Sequence, residues 1–95
     1  MAYADGFNSQ DKPLGYEKIT GLSSPKSLNA PSGARFAIIA VDGNTVRYRD
    51  DGVDPTATEG MPLGAGVMLT YEGILTAIRF IEIAASATLY VSYYA

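Results

Sequence analysis

The chain has 95 residues, no cysteine and no histidine, and seven Lys and Arg against ten Asp and Glu, for a net charge of −3. This excludes a disulfide staple, a thiolate metal site and histidine-based acid–base or metal chemistry, so no cofactor or metal is expected. A chain this small buries only about 60–65% of its unfolded surface, a thin margin that hints at subunit association.

The basic residues Lys12, Lys18, Lys26, Arg35, Arg47, Arg49 and Arg79 are scattered, and only Arg47 and Arg49 are close together. A phosphate-binding surface normally presents a basic cluster or stripe, so nucleic acid is not an expected partner. No stretch approaches the ~18 uninterrupted apolar residues of a membrane-spanning helix. Met1-Ala2-Tyr3-Ala4-Asp5 lacks the basic region and apolar run of a signal peptide. The expectation is a protein made in the cytosol and without a membrane partner.

Residues 1–14 are mostly polar, with Tyr3 and Phe7 as the available anchors, and read as an N-terminal arm that can lie across a neighbour. Residues 15–95 read as one domain. Residues 14–22 hold a first strand weakened by glycines, and turn clusters at Ser23-Ser24-Pro25 and Asn29-Ala30-Pro31-Ser32-Gly33 bracket a short strand around residues 26–28. Residues 35–41 are apolar on both faces, the pattern of a central strand covered on both sides. Asp42-Gly43-Asn44 is a turn of the kind that joins hairpins, because glycine accepts positive φ. In residues 45–50, Val46 and Tyr48 point toward a core, while Arg47 and Arg49 point toward solvent or a partner.

The connection over residues 51–60 is long for a hairpin. Its carboxylates, Asp50, Asp51, Asp54 and Glu59, sit near a glycine turn but lack the regular spacing of a calcium loop, which favours a solvated turn. Residues 67–71 form another strand. Residues 75–83 form the longest strand candidate, again apolar on both faces. A helix over residues 74–87 also fits a 3.6 period, but β-branched residues and flanking turns favour a strand.

In the last nine residues Ala87, Leu89, Val91 and Tyr93 alternate with Thr88, Tyr90, Ser92 and Tyr94. One face is aliphatic and bound for a core; the other is rich in tyrosine and hydroxyl groups. Tyr90, Tyr93 and Tyr94 fit a protein contact surface, since tyrosine supplies amphipathic area at low entropy cost. They equally fit a platform on which sugars stack, or a plain half-exposed sheet face. Arg47 and Arg49 lie on one strand face, where they can pair with Asp50, Asp51 or Glu82 or meet an acidic neighbour. Without histidine, a nucleophilic Ser or Thr needs a lysine or terminal-amine base, and an enzyme is not expected. Short strands separated by Gly and Pro, with no clear helix, predict an all-β protein: a small antiparallel β-sandwich, jelly-roll-like or a partly open barrel.

Arg47-Tyr48-Arg49-Asp50-Asp51-Gly52-Val53-Asp54-Pro55-Thr56 leads on to Gly60-Met61-Pro62-Leu63. Later, Ile78-Arg79-Phe80-Ile81-Glu82 precedes the ending Leu89-Tyr90-Val91-Ser92-Tyr93-Tyr94. In this order, over roughly residues 15–95, these motifs resemble a family of short virion structural proteins of tailed bacteriophages and prophages. The resemblance implies a β-rich and often trimeric capsid decoration (cement) protein on the capsid exterior, whose partner is the major capsid protein. The expected contact residues are then Tyr3, Phe7, Lys12, Arg47, Arg49, Tyr90, Tyr93 and Tyr94. A host-surface glycan-binding module of a head fibre or tail, or a head–tail component, is the alternative.

Overall fold

Eight strands and no helix make up residues 11–95, the part of the chain that the computed structural model describes. They are β1 (Pro13–Ile19), β2 (Lys26–Ser27), β3 (Phe36–Asp42), β4 (Val46–Arg49), β5 (Met61–Leu63), β6 (Met68–Tyr71), β7 (Arg79–Glu82) and β8 (Thr88–Tyr94). β1 pairs with β8, β2 with β7, β3 with β6 and β4 with β5, all antiparallel. The chain is thus one long hairpin with its tip between β4 and β5. Rolling that hairpin lets β8 also pair with β3, and β7 with β4. Two sheets result, ordered β1-β8-β3-β6 (sheet A) and β2-β7-β4-β5 (sheet B). Strands nested and rolled in this way form a jelly roll, one of the two forms expected.

Alternating side chains from both sheets fill the space between them. Ile39 and Val41 of β3, Leu89, Val91 and Tyr93 of β8, Val46 of β4 and Phe80 of β7 are all buried. Each such aliphatic or aromatic side chain contributes about 1.5–3 kcal/mol by leaving water. Gly43 makes the turn after β3, with φ of 86°. A Cβ at this position would sit 2.4 Å from the Ser86 carbonyl oxygen, so both conformation and space require glycine. The turn does not close a hairpin, contrary to the expectation. It carries the chain from sheet A into sheet B.

Three further expectations change. β7 is only four residues long, because residues 74–77 form a turn closed by the Ala77 N–H on the Ile74 carbonyl (2.9 Å). Leu75 and Ile78 are both buried, a spacing of three that a strand does not provide. Met61–Leu63, where no strand was expected, forms β5, and its Pro62 is tolerated because β5 is an edge strand. β1 starts at Pro13, so Pro13 and Leu14 belong to the sheet and not to the arm. The ladder extends one step further, where Lys12 and Ala95 exchange backbone bonds of 2.7 and 2.9 Å.

The inward row of β1 runs through Gly15, Glu17 and Ile19, opposite Tyr93, Val91 and Leu89. Glu17 is a carboxylate at the edge of the core. Its oxygens accept the Asn29 backbone N–H and Asn29 Nδ2, each at 2.9 Å, and the Tyr93 hydroxyl. Burial pushes the carboxyl up, but the bonds from the Asn29 side chain, the Tyr93 hydroxyl and the Asn29 backbone outweigh it. The folded carboxyl therefore titrates below its ordinary value of 4.5. A depressed folded value means the stabilisation is whole above the unfolded value and is lost as pH falls through the folded one. The melting temperature of the native chain is expected to drop on acidification below that ordinary value. In Glu17→Gln the drop should be smaller, as read by circular dichroism melts across the acid range; equal slopes would refute the assignment.

Candidate interaction face

The outward row of β8 is Thr88, Tyr90, Ser92 and Tyr94, since Leu89, Val91 and Tyr93 take the inward positions. The register places Tyr90 beside Ala40 and Lys18, and Ser92 beside Ile38 and Tyr16. On the far side of β3, Met68 lies opposite Ala40 and Thr70 opposite Ile38. Small residues (Ser92, Ala40) thus sit among large ones (Tyr16, Tyr90, Tyr94, Met68). The outer face of sheet A therefore contains a shallow, largely apolar groove of about 260 Å³.

Two of its rings are held in place. Tyr94 stacks on Phe36 with centroids 5.3 Å apart, and the Lys18 ammonium lies 5.9 Å from the Tyr90 ring centre. Tyr16 (64% exposed) and Met68 (66% exposed) stand free at the margins. Rings fixed before a partner arrives lose little entropy on binding, which is what an interaction surface gains from tyrosine.

The expected contact residues divide. Tyr90 and Tyr94 lie in the groove. Tyr93 does not: it is 1% exposed, and burial, then its bond to Glu17, raises its hydroxyl pKa. Its place in the contact set is corrected, because period two puts it on the inner face with Val91. Lys12 is exposed and uses its backbone to lengthen the β1–β8 ladder. Tyr3 and Phe7 lie outside the described residues. Residues 35–41 were expected to be covered on both sides. Instead Ile38 and Ala40 form part of the groove floor, with no second layer over them among the described residues.

Arg47 and Arg49 lie on the outer face of sheet B and so cannot join one surface with the tyrosines. Arg47 donates to the Ala57 and Gly60 carbonyls (3.1 and 2.9 Å), and Arg49 grips Asp51 through two bonds (3.0 and 2.5 Å). Arg79, directly across from Arg49, pairs with Asp54 (2.9 Å). The loop over residues 51–60 is therefore drawn back over sheet B by three arginines. Pro55 anchors it in the interior.

A second hollow, of about 320 Å³, lies beside this loop between Tyr48, Arg49, Asp50, Asp51, Glu59 and Met61. Two of its three carboxylates are spent separately: Asp51 on Arg49 and Asp50 on the Tyr71 hydroxyl (2.8 Å). Burial, then that bond to Asp50, pushes the Tyr71 hydroxyl up to about 12. Among the described residues no three His, Cys, Asp or Glu side chains converge in the way a metal ion needs. Ser23-Ser24-Pro25-Lys26 has the Ser-x-x-Lys spacing of some serine enzymes. Here it runs through an exposed turn into β2, with no helix to bring hydroxyl and amine together.

No protein-family model, curated protein or solved structure matches this chain. Tyr16, Ile38, Ala40, Met68 and Ser92 were missed as groove residues, because their neighbourhood depends on strand register. A local signal existed for one of them: in Tyr16-Glu17-Lys18-Ile19, Tyr16 and Lys18 share a face opposite Ile19.

Proposed function

We propose that this chain is a non-catalytic structural component of a tailed-bacteriophage particle, a capsid decoration (cement) protein. It sits on the head exterior and bridges neighbouring major-capsid subunits through the tyrosine face of sheet A. The single observation behind this reading is the groove of Tyr16, Tyr90 and Tyr94, a wide aromatic face with the Tyr90 and Tyr94 rings already set. The motif order from Arg47 to Tyr94 supplies the phage context. Aromatic area with hydroxyl tips suits a protein surface that must exclude water at its centre and stay wet at its rim. A protein that binds only the assembled shell stabilises it by its binding free energy.

The test is quantitative mass spectrometry of purified particles. A copy number that scales with the number of major-capsid subunits is the expected result. A handful of copies per particle would make the chain a neck or tail component, and absence from particles would overturn the reading. One observation favours a second role: the groove combines tyrosine faces with the Ser92 hydroxyl, as a sugar ring requires. Glycan-array binding by the isolated chain, lost in Tyr90→Ala, would move the assignment to host-surface recognition.

A further inference from the structure

We infer that the free edge of β6 is a self-association site, at which a second copy of this chain adds its own β6 antiparallel across a two-fold axis. An open sheet edge presents unpaired N–H and C=O groups, and natural sheets blunt such edges with proline, lysine or very short strands. Three of the four edges here carry such devices. β1 has Pro13 and Lys18, β2 is two residues long and begins with Lys26, and β5 is three residues long with Pro62 at its centre. β6, Met68-Leu69-Thr70-Tyr71, has none of these.

The edge is also correctly presented. The Val67 carbonyl accepts the Val41 N–H at 3.0 Å, so it faces β3, while the Val67 N–H closes the preceding turn on the Gly64 carbonyl (3.1 Å). Polar groups alternate sides along a strand, so those of Met68 and Thr70 point away from the sheet. Among the described residues no backbone bond outside the sheet involves residues 68–71. Val67 (41% exposed) and Met68 (66% exposed) add apolar surface along the same edge.

The choice of a second copy rests on charge and register. Antiparallel pairing centred on Leu69 sets Met68 opposite the partner's Thr70 and Val67 opposite the partner's Tyr71. Residues 66–71 carry no charge, so nothing repels across the axis. Both Met68–Thr70 pairs then have their outward groups facing one another, the hydrogen-bonded type of antiparallel pair. Each copy extends the four strands of sheet A, making a continuous eight-stranded sheet. The two grooves, each lined by Met68, meet across the axis on one face. The inference does not depend on the capsid reading.

Sedimentation of the full chain from micromolar to millimolar concentration tests it, together with amide exchange. A dimer that forms with concentration is expected, with the Met68 and Thr70 amides protected in the dimer and fast in the monomer. Thr70→Pro removes a donor that points outward and leaves the β3–β6 bonds intact. It should raise the dissociation constant at least about tenfold without changing the monomer's circular dichroism. Met68→Lys adds a charge on an exposed side chain and should act alike, which decides the matter if the proline variant fails to fold. A monomer at every concentration would overturn the inference. So would association that Met68→Lys leaves unchanged, or an associated state, trimeric or otherwise, in which the Thr70 amide exchanges freely.

Discussion

Tyr93→Ala is expected to cost about 3–5 kcal/mol of folding stability, the range for truncating a buried aromatic ring. The ring is 1% exposed and sits against the inner row of sheet A, and its hydroxyl donates to Glu17. Domains of this size are stable by only about 5–15 kcal/mol, so such a loss puts a visible fraction of the chain in the unfolded state. Urea titration followed by circular dichroism measures it. Tyr93→Phe keeps the ring and removes only the hydroxyl, leaving Glu17 with its two bonds from Asn29. Its expected cost is about 1.5–3 kcal/mol, the value of a hydrogen bond to a charged group. A loss below about 1 kcal/mol in Tyr93→Ala would contradict burial and return Tyr93 to the contact surface.

The second large effect is on binding. If the proposed decoration role holds, Tyr16→Ala combined with Tyr90→Ala should weaken attachment to phage heads by at least about thirtyfold, the effect of losing about 2 kcal/mol or more of interface anchor. Both side chains point outward from sheet A, so the monomer should melt close to the native temperature. Occupancy of heads emptied of the native protein and refilled with the variant gives the ratio. Arg49→Ala, on the opposite sheet, is the control and should refill heads normally. If Arg49→Ala fails to refill them while the tyrosine variant succeeds, the shell contact lies on sheet B and the proposed face is wrong.

The ending from Thr88 to Tyr94 explains how far local pattern reaches. Its alternation separates an aliphatic face from a hydroxyl and tyrosine face, and the structure keeps that division. Grouping Tyr93 with the other tyrosines followed residue type. The period had already placed it with Val91 and Leu89, and the period prevailed because side-chain direction in a strand follows backbone geometry. Residues 75–83 failed for the opposite reason. Their apolar run is local, but Ile74 to Ala77 closes a turn, and Leu75 within it and Ile78 just after it both reach the core.

The sequence by itself determined the fold class, the inward rows of β4 and β8, and the lack of cysteine and histidine side chains. Those features depend on neighbours one to four residues away. Only the tertiary structure decided the winding into a jelly roll, the separation of the arginines onto sheet B, and the assembly of the groove. Tyr16 and Tyr90 are 74 positions apart in the chain. They share a surface because β1 and β8 pair in one particular register, with Tyr16 opposite Ser92 and Lys18 opposite Tyr90. Register is set by which faces of all eight strands must be buried together, a constraint that no single segment contains.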